Sequence, residues 1–238
     1  GGNSWQFGSA GLGSSDRTNW DTPFFMSPNI PNRLYAATYR VYGKDSGGGW
    51  GTTSGDLTDG NIFGAKFHTV SCLDESTVTV GKLAAGTSDG NVWWRTSAGA
   101  WTNITTGLPD RYVTSVHFSP TLSNRLFVTH SGFRDNEEIP HIHRSDDQGI
   151  TWQNISSDLP QVPVNDLLVL PGYSDQVLFA ATDAGVYFTT SGGVSWNRLG
   201  GNMPYVPVFD LERNPARNEL VAATFGRGIW TFPFDSVF

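Results

Sequence analysis

Three sets of side chains in this sequence could do chemistry. The first is acidic: residues 131–140 read Ser-Gly-Phe-Arg-Asp-Asn-Glu-Glu-Ile-Pro, which sets Asp135, Glu137 and Glu138 beside Arg134, and Asp21 and Asp183 stand elsewhere between apolar runs. Glycoside hydrolysis needs two carboxyl groups about 5–9.5 Å apart across the scissile bond, so Asp135, Glu137 and Asp183 are the candidate catalytic groups if the chain is an enzyme. The second set is His130, His141 and His143. His141 and His143 are two apart, so on a strand they share a face, and with the acids they could offer imidazole and carboxylate ligands to a metal. A histidine pair outside any recognised ligand motif reads equally as ordinary strand positions, and no metal or other cofactor is assigned. The third set joins aromatic rings to arginines. Trp20, Tyr112 and Tyr205 offer stacking faces, and Arg40, Arg111, Arg134 and Arg227 with the neighbouring acids could fix hydroxyl groups. Some of these rings, Trp20 above all, would serve as well in the core. Cys72 reads as a small buried hydrophobe.

The composition limits what these groups act on. The 238 residues carry 15 Lys and Arg against 22 Asp and Glu, a formal net charge of −7. Affinity for nucleic acid comes mainly from Lys and Arg, so a nucleic-acid partner is not expected. No run approaches the 18 or so apolar residues of a membrane span. One cysteine excludes a disulfide framework and a thiolate metal cluster. With 28 Gly, 13 Pro and 13% aromatics but only 16% charged residues, the chain solvates itself through Ser, Thr, Asn and Gly, as an extracellular all-β protein does.

The elements that position these groups come from a repeat. Tryptophans close similar turn sequences at Trp5, Trp50, Trp101, Trp152 and Trp196. In phase with them run the words Arg33-Leu-Tyr-Ala-Ala-Thr38, Lys82-Leu-Ala-Ala-Gly-Thr87, Arg125-Leu-Phe-Val-Thr129, Val177-Leu-Phe-Ala-Ala-Thr182 and Glu219-Leu-Val-Ala-Ala-Thr224. Before most of these stands a third word, as in Val113-Thr-Ser-Val-His-Phe118, Val164-Asn-Asp-Leu-Leu-Val169 and Val208-Phe-Asp-Leu211, with Gly64-Ala-Lys-Phe-His68 as a degraded copy. Every segment has strand length and strand composition, and none shows a sustained 3.6-residue period. Four strands in about 45 residues is a β-propeller blade; a sandwich would not repeat the same four-part word in phase. The expectation is an all-β propeller of about five four-stranded blades, alone or as part of a larger ring, in one domain over 1–238. Its blades run approximately 22–58, 64–108, 113–160 and 164–200, with residues 1–8 as an outer strand closing on 208–234.

The best turn, Ser145-Asp146-Asp147-Gln148-Gly149-Ile150-Thr151-Trp152, matches Ser-x-Asp-x-Gly-x-Thr-Trp. It resembles the Asp-box or BNR repeat. Weaker copies keep Asp45, Gly47 and Trp50 in the first unit, Gly99 and Trp101 in a shortened second, and Gly193, Ser195 and Trp196 in the fourth, where Ser191 replaces the Asp. The resemblance covers nearly the whole chain, and it implies a structural role for these residues. The Asp accepts hydrogen bonds within its own turn, Gly allows a positive φ, and Trp fills the space between sheets. Residues 224–232 look like the closing unit of similar secreted bacterial propellers. Gly1-Gly-Asn-Ser-Trp5 is the back half of a box, so the chain starts within a motif and is expected to belong to a longer parent with other domains.

The same resemblance implies two functions. Asp-box propellers occur in sialidases and xyloglucan-degrading enzymes and also in non-catalytic proteins such as sortilin-type receptors. A sialidase needs an arginine cluster, and Arg17, Arg40, Arg111, Arg134 and Arg227 lie on suitable loops. The chain departs from that pattern in having no Arg-Ile-Pro near its start and no Tyr–Glu nucleophile pair. Ligands of this architecture usually bind on the face opposite the box turns. The leading expectation is therefore a secreted recognition or scaffold module for a glycan or protein, with Trp20, Arg40, Arg111, Tyr112, Arg134, Asp135, Glu137, Tyr205 and Arg227 as the binding set. The second is a glycoside hydrolase using the loop carboxylates. An unclosed ring would also expose sheet edges that invite self-association.

Overall fold

The words of the type Leu-x-Ala-Ala-Thr are apolar on both faces, and such strands need cover on both sides. The computed structural model, which describes residues 8–62, 66–97, 99–132 and 139–237 with the side chains of 61, 62, 66 and 67 excepted, shows how that cover arises. The first sheet joins Phe24–Met26, Leu34–Ala37, Val41–Lys44 and Gly51–Thr52 (β1–β4). A two-stranded hairpin, Asn61–Ile62 with Lys66–Phe67 (β5–β6), precedes the second sheet, Val70–Glu75, Leu83–Thr87, Val92–Arg95 and Thr102–Asn103 (β7–β10). The third holds Val113–Phe118, Leu126–His130, Ile142–Ser145 and Gln153–Asn154 (β11–β14), and the fourth Val164–Val169, Leu178–Thr182, Gly185–Thr189 and Asn197–Arg198 (β15–β18). The fifth has three strands among the described residues, Val208–Asn214, Glu219–Thr224 and Ile229–Pro233 (β19–β21). All pairings are antiparallel between consecutive strands, and the chain is a β-propeller.

Each sheet hands apolar side chains to the next. Tyr35, Ala37 and Val41 pack on Val70, Leu83 and Ala85. Ala84, Val92 and Ile104 pack on Val116, Phe118 and Leu126. Phe127 and Ile142 meet Leu178 and Ala180, and Phe179, Ala181 and Val186 meet Leu211, Leu220 and Ala222. A fully buried Leu or Phe contributes about 1.5–3 kcal/mol, so the interfaces between blades are the core.

Two kinds of polar clasp repeat with the sheets. In the turn of the third sheet Asp147 accepts from Thr151 N at 2.9 Å and Thr151 Oγ1 at 2.6 Å, while Ser145 Oγ accepts from Gly149 N at 2.7 Å. Gly149 has φ +85°, and a Cβ there would strike Ile104. These bonds hold the Asp147 carboxyl down at about 2. The fourth sheet builds the same turn with Thr189 and Ser191: Gly193 N donates to Thr189 Oγ1 and Ser195 N to Ser191 Oγ, each 3.2 Å. Asp45 departs from this pattern, since its carboxylate takes a two-pronged bond from Arg33 instead, both 2.7 Å. The second clasp starts at a bulge near the head of four of the inner strands, β7, β11, β15 and β19. The extra residue it creates points sideways, and Ser71, Thr114 and Asn165 use that direction to donate to the carbonyls of Val113, Val164 and Val208 in the next blade.

The inner strand of the second sheet is Val70–Glu75, with Lys66–Phe67 left to the hairpin. Of residues 1–8, expected to close the ring on 208–234, residues 1–7 lie outside the described residues.

Candidate functional site

Antiparallel strands give the propeller two faces. Connections from an outer strand to the next inner strand, and from second to third strand, open on the loop face. The tryptophan turns and the first-to-second connections open on the turn face.

On the loop face, the segment before β1 is pinned across three sheets. Asp16, with only 2% of its side chain exposed, accepts from Arg40 at 2.7 Å, Tyr42 Oη at 2.5 Å and Thr38 Oγ1 at 2.8 Å. The Arg40 guanidinium, helped by both hydroxyls against the cost of burial, drives this carboxyl far below the usual range. Arg17 lies 4.2 Å over the Tyr39 ring and donates to Asp56, Thr58 and the His68 carbonyl. Asn19 Nδ2 reaches Tyr112 Oη at 3.0 Å. Next to that anchor Trp20 stands 98% exposed. Tyr205 is also exposed, with Arg198 stacked 4.1 Å above it, and Phe225 meets Phe209 edge-on at 6.0 Å.

The expected binding residues therefore divide. Trp20, Tyr112, Tyr205 and Arg227 lie on the loop face, as do Arg40, held by Asp16, and Arg111, whose Nη1 bonds the Asp110 carbonyl. Asp183 accepts from Asn165 Nδ2 at 2.9 Å and ties its turn to the inner strand. Arg134, Asp135 and Glu137 lie outside the described residues.

The three histidines do come together. His130 stands where the other sheets carry Thr38, Thr87, Thr182 and Thr224, whose hydroxyls bond the following turn. It is fully buried, neither ring nitrogen has a hydrogen-bond partner, and its ring lies edge-on to His143 at 5.4 Å. His141 Nδ1 donates to the His130 carbonyl at 3.2 Å. Burial, then the neighbouring rings, lowers His130 to about 3 and His143 to about 4; burial also lowers His141. Burial thus disfavours a charge on each of the three rings. Among the described residues no group of His, Cys, Asp or Glu is arranged to hold a metal ion.

The turn face holds a set that the sequence reading missed. A cavity of about 370 Å3 opens among the inner strands, lined by Asp74, His117, Asp166, Asp210 and Glu212. These occupy the third and fifth places of β7, β11, β15 and β19, which after the bulge share the channel side. His117 Nε2 donates to Asp166 Oδ1 at 2.9 Å, and Asp166 Oδ2 accepts from Leu211 N at 3.0 Å. Burial works against a charged ring here, but the Asp166 bond and the charges of Asp166, Asp74 and Glu212 prevail and lift His117 to about 9. Burial raises the carboxyls of Asp74, Asp210 and Glu212, the last two further by their acidic neighbours. The set places a charged ring beside carboxyls whose proton affinity is raised. Its signal was the in-phase polar residues of the inner-strand words, which must face the axis of any propeller.

No family model matches the chain, and no curated protein matches it. Solved structures do. An ancestral GH74 enzyme superposes with TM-score 0.61 at 17% identity, over 94% of this chain and 31% of that one, so the chain spans less than a third of that enzyme. The β-propeller domain of Cps50 (Swd1) from Myceliophteria thermophila gives 0.61 at 14%, over 88% of this chain and 69% of the domain. YCF48 from Cyanidioschyzon merolae gives 0.62 at 14%, over 87% and 71%. These likenesses establish the propeller fold, which occurs both in enzymes and in other propeller proteins.

Proposed function

We propose that the chain is a non-catalytic recognition module of the Asp-box type, acting outside the cell, whose ligand docks on the loop face. The observation that carries this is Trp20, 98% exposed on a segment whose neighbours Arg17 and Asn19 are fastened to other parts of the ring. A large apolar ring held in water on a rigid support marks a contact surface. Flat exposed rings flanked by arginines suit a glycan, whose apolar sugar face stacks on an aromatic while its hydroxyls take hydrogen bonds. The test is glycan-array binding by the native protein and its Trp20→Ala variant. A stacking anchor of this kind is worth about 2 kcal/mol, so the variant should bind roughly 30-fold more weakly. Equal binding by both proteins rejects the site, and capture of a protein but no glycan reassigns the ligand.

The second reading is a glycoside hydrolase, favoured by the turn-face channel, where Asp210 and Glu212 hold protons more tightly beside Asp166. Acid-catalysed glycoside cleavage uses a carboxyl of raised proton affinity beside a second carboxyl. Reducing ends released from array-positive glycans, and lost in Asp210→Asn, would establish it.

A further inference from the structure

The tryptophan turns carry a register. Trp101 Nε1 donates to the Thr53 carbonyl, Trp152 to Ile104 and Trp196 to Ile155, each at 2.9 Å. Every acceptor lies three residues beyond the turn tryptophan of the preceding blade, which is Trp50, Trp101 or Trp152. Trp50 makes the same bond, 2.7 Å long, to the Gly8 carbonyl, and three residues before Gly8 the sequence has Trp5. Gly8 thus fills the place of Thr53, Ile104 and Ile155, which in their own blades follow the outer strand.

The sheet β19–β21 is not that blade. Wherever two blades adjoin, the facing residues are buried: Val186 is 0% exposed, Val116 2% and Phe118 6%. The matching positions at the two ends of the described ring are Ile229, 72% exposed, Phe24, 61%, and Met26, 62%. Had the fifth sheet closed on the first, these would cover one another. The inner-strand clasp stops at the same place, because Phe209, 53% exposed, stands where Ser71, Thr114 and Asn165 donate to the next blade.

We infer that the ring is completed by at least one further blade of this repeat, lying between the fifth sheet and the first and belonging to the same polypeptide. The occupant of the first sheet's open face is identified by the Trp50–Gly8 bond, which repeats the contact that Trp101, Trp152 and Trp196 make with the blade before them.

Thiol labelling of the full native chain tests this. Met26→Cys and Ile229→Cys, in a Cys72→Ser background that leaves the new thiols as the only ones, probe the two open faces. In the monomeric native protein both new thiols should react with maleimide at least tenfold more slowly than in denaturant, and mild oxidation should not join them. A disulfide between positions 26 and 229 overturns the proposal in favour of a closed five-blade ring. Labelling at the denatured rate overturns it by showing bare faces, and protection that vanishes on dilution with a halving of mass assigns the faces to a second copy. Phe24→Cys with Val221→Cys repeats the measurement should the first pair fail to fold.

Discussion

The third sheet carries histidines toward both faces of the propeller, and they behave in opposite ways. On the loop side His130 and His143 are sealed among apolar groups and each other, and both stay neutral. On the turn side His117 faces carboxylates from three other sheets and stays protonated up to about pH 9. The residue type is the same and the sheet is the same, so the surroundings decide. Inner strands collect one residue from every blade around a shared axis, and there charge accumulates. The second and third strands lie between blades, where charge is driven out. What remains for an external ligand on the loop side is supplied by a segment outside the repeat, the one that carries Trp20.

Removing the charged ring is the harshest way to break this comparison. His117→Gln keeps a hydrogen-bond donor for Asp166 but no charge, and leaves Asp74, Asp166 and Glu212 unopposed. With a third of its side chain exposed, the loss should be about 1–2 kcal/mol near pH 6 rather than the larger cost of a sealed pair. The sign follows from linkage. His117 binds its proton more tightly folded than unfolded, so its stabilisation is complete below about pH 6.5 and fades as pH rises toward 9. Urea unfolding across that window should show falling stability in the native protein and a flatter profile in the variant. An unchanged slope contradicts the role given to His117.

The opposite limb is a smaller effect. His130 and His143 hold protons less tightly folded than unfolded, so their contribution is complete above about pH 6.5 and is lost as pH falls toward 4 and 3. His130→Thr restores the hydroxyl that four other sheets carry. Thermal unfolding at pH 6.5 and pH 4 should show a smaller acid loss in the variant than in the native protein, and equal losses would mean that His130 titrates freely.

The repeat made most of the fold legible. In-phase words placed the second strands, and the Ser145–Trp152 turn announced its own hydrogen bonds, because both depend on local spacing. The place of Asp147 was readable for that reason, whereas Asp45 pairs with Arg33 across its sheet and shows no local sign of doing so. His117, Asp166 and Asp210 were written in the inner-strand words, whereas Asp74 and Glu212 lay outside them, and the five become a set only when four strands converge. The fastening of residues 16–20 was not legible, since Asp16 meets Arg40 and Asn19 meets Tyr112 through bonds that no repeat encodes. The hairpin β5–β6 likewise interrupts the period without a repeating word.

The claim that the loop face is the recognition surface is tested most directly by oxidative footprinting of the native protein with and without an array-positive glycan. Among the tryptophans of the described residues, Trp20 should be oxidised fastest in the free protein and should be protected when the glycan is bound, with the channel residues around His117 unchanged. Protection of the channel while Trp20 is oxidised at its free rate would contradict the account and move the site to the turn face.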